Sequence, residues 1–231
     1  MAERVAVVTG AGSGIGRAIA EALARSGHRV VATGRTESKL AETRAAIESA
    51  GGACAVVPAD VGDRTAVDRL FGEVRASGGR LDVLVNNAAL ATSAGIDTME
   101  LPAFEQMLQV NTAGVVYCCR AAWPLLKSAR GVIVNIGSMA ALDPFPGLAL
   151  YGATKAFVTL LTKGLAAEGK PHGVRVFGVG PGAVETEMLR ATCPDVPADQ
   201  CLAPSAVADL VVALTTEPFA HSSGQTVYIQ R

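Results

Sequence analysis

Tyr151 and Lys155 have the residue types and the spacing for proton chemistry. Four positions apart on a helix, they share one face, one turn apart. A phenol titrates near ~10 and is a poor base at neutrality unless something favours its ionised form. A neighbouring ammonium does that, so the pair reads as a proton donor or acceptor with its electrostatic helper. Standing alone, the Tyr-x-x-x-Lys spacing is most often an ordinary helix surface pair.

A second signal lies near the start of the chain, in Thr9-Gly10-Ala11-Gly12-Ser13-Gly14-Ile15-Gly16. Glycines let a backbone turn tightly and approach a pyrophosphate. A helix opening near Gly14 would aim its N-terminal N–H groups at that anion. A glycine-rich stretch by itself marks only a tight turn. Here it follows a first strand and opens a first helix, the setting in which such a stretch binds a dinucleotide.

These residues need elements to position them. Apolar periodicity and turn residues predict strands over Arg4 to Thr9, Arg29 to Thr33, Ala53 to Val57, Leu81 to Val85, Gly131 to Ile136, Val174 to Val179 and Gln225 to Ile229. Helices are expected over Gly14 to Ser26, Thr36 to Ala50, Arg64 to Ala76, Asn111 to Ser128, Leu148 to Glu168 and Ser205 to Thr215. The strands are continuous apolar runs, which suits strands covered on both faces. Alternating strands and helices predict a single-domain α/β chain with a Rossmann-type, doubly wound parallel sheet of about seven strands. The stretch from Met188 to Ala203 is the least regular, and 186–204 reads as a substrate loop.

The T-G-x-x-x-G-I-G form of the glycine turn resembles the short-chain dehydrogenase/reductase family, and the resemblance extends over nearly the whole chain. Its other motifs are Asp60-Val61, Asn86-Asn87-Ala88-Ala89, Asn111, Ser138, Tyr151 with Lys155, and Pro181-Gly182-Ala183-Val184-Glu185-Thr186. Ala89 stands where relatives have glycine. The C-terminal strand lacks the D-G-G often found there, which bears on subunit assembly.

The resemblance implies an NAD(P)-dependent oxidoreductase that moves hydride between nicotinamide and a carbonyl or secondary alcohol. The expected cofactor contacts are Gly10, Ser13, Gly14, Ile15, Gly16, Arg35, Asp60, Val61, Asn87, Ala88, Tyr151, Lys155, Pro181, Gly182, Val184 and Thr186. Asp60 would meet the adenine and Thr186 the nicotinamide carboxamide. Thr186 also suits a helix N-cap. The expected catalytic set is Asn111, Ser138, Tyr151 and Lys155. Tyr151 transfers the proton, and Lys155 lowers its pKa and holds the nicotinamide ribose. Ser138 polarises the substrate oxygen, and Asn111 holds a water that relays protons from Lys155. Ser138 also suits a turn or helix cap, and Asn111 a helix cap. Asp143 and Glu185 read as solvated loop charges.

NAD-specific relatives place an aspartate at the position of Gly34, where it would repel a 2′-phosphate. Here Arg35 follows instead, and a guanidinium forms charge-assisted bonds to phosphate. NADP(H) is therefore the expected cofactor, with NAD(H) possible. Ser13 argues the other way, because many NADP-using relatives have a basic residue there. The lesser alternative is that Arg35 is a solvated surface residue.

Substrate contacts are expected from Ser138, Met139, Leu142, Phe145, Tyr151, Met188 and Leu189, with Leu90 and Leu148 nearby. That set favours a small to medium, mainly apolar ketone, aldehyde or secondary alcohol. Some of these side chains could simply be core. Val115, Val116, Trp123, Phe157, Leu160 and Leu161 exceed what one sheet contact needs. They suggest a homodimer or homotetramer paired through the helices Asn111 to Ser128 and Leu148 to Glu168.

Composition narrows the remaining classes. The chain has 231 residues and a formal net charge of -1, with no basic block to grip nucleic acid. Its apolar runs are too short to span a bilayer, and its first residues do not read as a secretory leader, so the cytoplasm is expected. Five cysteines show no metal or disulfide spacing, and no metal site is expected. Two other classes compete: a non-catalytic nucleotide-binding regulator or scaffold, and an epimerase or dehydratase with a retained nucleotide. Keeping all four catalytic side chains argues against the first. The glycine spacing and the lack of a substrate domain argue against the second.

Overall fold

Along β1 (Arg4–Thr9), Val5 and Val7 enter one apolar core while Ala6 and Val8 enter another. Successive strand side chains point to opposite faces, so an unbroken apolar run requires cover on both sides. α1 (Gly14–Arg25), α2 (Glu37–Ser49) and α8 (Pro204–Leu214) cover one face. α3 (Arg64–Ala76), α5 (Gly114–Ala129) and α6 (Ala149–Gly169) cover the other. The computed structural model describes residues 3–231; Met1 and Ala2, which open the stretch read for a leader, lie outside the described residues.

The remaining strands are β2 (His28–Gly34), β3 (Cys54–Pro58), β4 (Val83–Asn86), β5 (Val132–Ile136), β6 (Arg175–Pro181) and β7 (Thr226–Ile229). They form one sheet in the order β3-β2-β1-β4-β5-β6-β7, and every neighbouring pair is parallel. The winding reverses between β1 and β4. In such sheets ligands bind beyond the strand ends at that switch point. The glycine turn after β1 and the Asn87-Ala88 segment after β4 both lie there.

Two stretches differ from the sequence reading. The helix expected from Asn111 begins earlier, as α4 (Leu101–Leu108), and joins α5 through a wide π-turn over Gln109–Ala113. Pro102 sits at the start of α4, where its missing N–H costs nothing. Asn111 therefore lies inside a helix and does not cap one. The 186–204 stretch is not one loop. It contains α7 (Glu187–Thr192) and a 3₁₀ turn, Ala198–Gln200. Thr186 caps α7 by accepting from the Leu189 N–H at 3.2 Å. Arg190 then pins the following segment, donating to Glu185 at 2.7 Å and to the carbonyls of Pro194 at 3.2 Å and Val196 at 2.6 Å. Glu185 is thus a paired charge, not a merely solvated one.

Candidate active site

A cleft of about 450 Å³ runs from the glycine turn to Tyr151. Its phosphate end is built by close backbone packing. A Cβ at Gly16 would meet the Gly10 carbonyl oxygen at 2.1 Å, so only glycine lets α1 start so near the turn. The Ser13 side chain makes no cap hydrogen bond, and the first turn of α1 has no acidic residue. The N-terminal N–H groups of α1 are therefore left for an anion.

Thr9 ties this turn to β4. Its Oγ1 accepts from the N–H groups of Asn87 at 2.9 Å and Ala88 at 3.0 Å. The Asn87 amide returns the contact, donating to the Thr9 carbonyl at 2.9 Å. Asn87 thus borders the cleft while its amide holds the turn. Asp60 behaves similarly, one carboxylate oxygen accepting from the Gly62 N–H at 2.8 Å.

The other end depends on α6 lying close to the segment after β5. A Cβ at Gly152 would meet the Ala140 carbonyl oxygen at 2.3 Å. That approach brings Tyr151 against Ser138. The Ser138 hydroxyl also accepts from the Ala140 N–H at 3.1 Å, capping the 3₁₀ turn Met139–Ala141. Lys155 is 3% exposed and donates to the Ile136 carbonyl at 2.9 Å. Its Nζ lies 5.7 Å from the centre of the Tyr151 ring.

Burial governs both titrating groups. It raises the Tyr151 phenol to about 12, against a smaller lowering by the Ser138 hydrogen bond. It lowers the Lys155 ammonium to about 8. The expectation that Lys155 depresses the phenol is not met in this structure. Desolvation is the leading cause, and Lys155 Nζ is turned toward the Ile136 carbonyl. Tyr151 is consequently a protonated acid at neutral pH.

Asn111 is 1% exposed and lies behind the cleft wall. Its Oδ1 accepts from the Leu90 N–H at 2.8 Å, and its Nδ2 donates to the Leu90 carbonyl at 2.8 Å and to Thr154 Oγ1 at 3.0 Å. The side chain thus has both amide hydrogens engaged and one Oδ1 lone pair open. It clips the segment after β4 to α6.

Gly10, Ser13, Gly14, Ile15 and Gly16 border the cleft, as do Arg35, Asp60, Val61 and Ala88. So do Pro181, Gly182, Val184 and Thr186. Met139, Phe145, Met188 and Leu189 line the side near Tyr151. Leu142 is outside the lining and 61% exposed, because the 3₁₀ turn before it points its side chain outward. Thr36, Lys39, Thr192, Cys193 and Val196 line the cleft without having been singled out in the sequence. The last three come from α7 and the segment behind it, which Arg190 holds through Glu185, Pro194 and Val196.

The residues fit a nicotinamide dinucleotide: an open helix N-terminus, a backbone cradle and a cleft that leads to the Tyr151 phenol. Among the described residues no cluster of potential metal ligands occurs, and no helix is long and apolar enough to cross a membrane.

Comparison with known proteins agrees with this geometry. Residues 4–196 match the short chain dehydrogenase family. A 3beta-hydroxysteroid dehydrogenase from Mediterraneibacter gnavus is 36% identical over 195 residues, covering 84% of this chain and 71% of that protein. A 3-ketoacyl-(acyl-carrier-protein) reductase from Brucella melitensis, solved with NADH, is similar at TM-score 0.91 and 30% identity, covering 98% of this chain and 96% of that one. A short chain dehydrogenase from Burkholderia cenocepacia, solved with NADP, gives TM-score 0.90 at 33% identity, again covering 98% and 96%. Together with the seven-stranded parallel sheet, these matches establish that the chain belongs to the short-chain dehydrogenase/reductase family of oxidoreductases.

Proposed function

We propose that this chain uses NADPH to reduce the carbonyl of a small to medium, mainly apolar substrate, and catalyses the reverse alcohol oxidation when the cofactor is oxidised. One observation supports this most: the cleft that begins at the glycine turn ends at the half-buried Tyr151 phenol beside Ser138.

In this reading, N–H groups of the Gly10–Gly16 turn hold the pyrophosphate, Arg35 meets the 2′-phosphate, and Asp60 and Val61 flank the adenine. Asn87, Ala88, Pro181, Gly182, Val184 and Thr186 form the walls nearer the nicotinamide. A bound nicotinamide dinucleotide supplies the hydride in reduction and accepts it in oxidation. Tyr151 gives its proton to the carbonyl oxygen, and Ser138 donates a hydrogen bond that polarises the same oxygen. Lys155 holds the nicotinamide ribose hydroxyls, and its nearby charge offsets the phenolate left on Tyr151. Asn111 is a positioning residue, acting through Leu90 and Thr154.

The substrate side draws on Met139, Phe145, Met188 and Leu189, with 186–204 as the substrate segment. The charged residues of the cleft lining are Arg35, Lys39, Asp60 and Lys155, none of them contributed by that segment. This favours a neutral substrate. The name of the Mediterraneibacter relative makes hydroxysteroids and their ketones a sensible first panel. Tight binding of a polyanionic substrate would refute the assignment.

Assembly as a homodimer or homotetramer follows from side chains left uncovered on α5 and α6. Val116, Phe157 and Leu160 are exposed, whereas Val115 packs into the core and Trp123 and Leu161 lean on it. A monomer by light scattering at micromolar concentration would contradict this. The cofactor reading is tested by titrating the protein with NADPH and with NADH, following nicotinamide fluorescence. Tighter NADPH binding is expected; binding of neither nucleotide would overturn the enzymatic reading.

A further inference from the structure

One ion pair joins the two banks of the cleft. Lys39, in the first turn of α2, donates from Nζ to Oε2 of Glu187, the first residue of α7, at 2.7 Å. Both banks also touch the glycine turn. A Cβ built on Gly12 would meet Lys39 Cβ at 3.0 Å, and one built on Gly14 would meet Thr186 Cγ2 at 3.0 Å. The pair therefore straddles the backbone that cradles the dinucleotide phosphates.

The charges at this end are few. Lys39 lines the cleft with Arg35 and Thr36, while Lys155 is buried at the catalytic end. Arg35 is exposed and forms no ion pair among the described residues. Lys39 is held only by a carboxylate in water: the two side chains are 41% and 77% exposed. Such a surface pair is weak and exchangeable. A phosphate offers the same ammonium more charge and three strong acceptors.

We infer that Lys39 is a second reader of the 2′-phosphate beside Arg35, and that it leaves Glu187 to make that contact. This deepens the proposed NADP preference and rests on it. The exchange also links the two ends of the cleft. Glu187 is followed directly by Met188 and Leu189 of the substrate wall, so a dinucleotide with a 2′-phosphate unclasps that wall and one without it leaves the wall clasped.

The test is a fluorescence titration with NADPH and NADH of the wild type, Lys39→Gln, Lys39→Arg, Glu187→Gln and Arg35→Gln. Lys39→Gln should weaken NADPH about tenfold and leave NADH within about twofold, while Lys39→Arg should stay near the wild type. Glu187→Gln should tighten NADPH about threefold, because a competing partner and a like charge are removed together. Suppose that Arg35→Gln selectively weakens NADPH, but Lys39→Gln affects both nucleotides equally or neither. Then this inference fails and the NADP preference stands. An unchanged NADPH affinity in Glu187→Gln overturns the exchange. A wild type with no preference for NADPH overturns both readings.

Discussion

Two polar clusters share the scaffold of β5 and α6, yet they differ in character. Asn135 on β5 links Asn86 to Thr162 on α6. It accepts from the Asn86 amide at 2.8 Å and donates to Thr162 Oγ1 at 2.9 Å. Asn86 also reaches Cys119 Sγ at 3.2 Å, and burial pushes the Cys119 thiol up to about 12. A few residues along the same elements stand Ser138, Tyr151 and Lys155, at the open end of the cleft. The first cluster is sealed and almost fully paired, with only Asn86 Oδ1 lacking a partner in it. In the second, Lys155 is buried but Ser138 and Tyr151 are only half-buried and border the cleft. Burial shifts titration in both clusters; burial with partners makes a polar group structural, while a place beside a cavity leaves it free to act.

The largest test of that contrast is Tyr151→Phe. It should lower kcat by about 10²–10⁴-fold while the urea midpoint and nucleotide affinity hold steady. Asn135→Ala should do the converse. Removing one partner each from the Asn86 amide and the Thr162 hydroxyl, which keep Cys119 and the Val158 carbonyl, should cost about 2–3 kcal/mol in urea unfolding, with kcat per folded molecule unchanged. A kcat loss comparable to that of Tyr151→Phe would erase the distinction between the clusters.

The titration shifts sharpen it further. Lys155 is held at about 8 in the folded chain against 10.5 for the free group. Between those values the unfolded chain binds more protons, so stability should rise with pH across that window. Tyr151 acts in the opposite sense: its folded value near 12 lies above the ordinary 10, so its contribution is lost as pH climbs above 10. The buried Cys118 and Cys119 thiols, raised from 9, lower stability between about pH 7.5 and about pH 9.5, so the Lys155 contribution is the difference from Lys155→Met: the wild type should gain on the order of 2 kcal/mol more in urea unfolding. The smallest expected effect marks the edge of the open cluster. Phe145→Ala should raise substrate KM about three- to tenfold, and Leu142→Ala, which lies outside the lining, should not.

Much of the fold was legible because its signals are local. The β1 strand and α3 match their predicted spans residue for residue, and the other strands shift by one or two residues at an end. α4 was missed because the proline and the short amphipathic stretch around Phe104 resemble a loop until packing supports them. α7 was missed for a related reason, since Arg190 stabilises it through contacts with Glu185, Pro194 and Val196.

The sequence by itself determined the glycine turn, the alternation of strands and helices, and the spacing of Tyr151 and Lys155. Each of these is set by backbone geometry over a few neighbouring residues. Only the tertiary structure decided that Asn111 holds Leu90 and Thr154, that Lys39 meets Glu187, and that Tyr151 stays protonated while Lys155 is driven toward neutrality. Those outcomes depend on which distant groups share a volume and how much water they exclude, and no local pattern encodes either quantity.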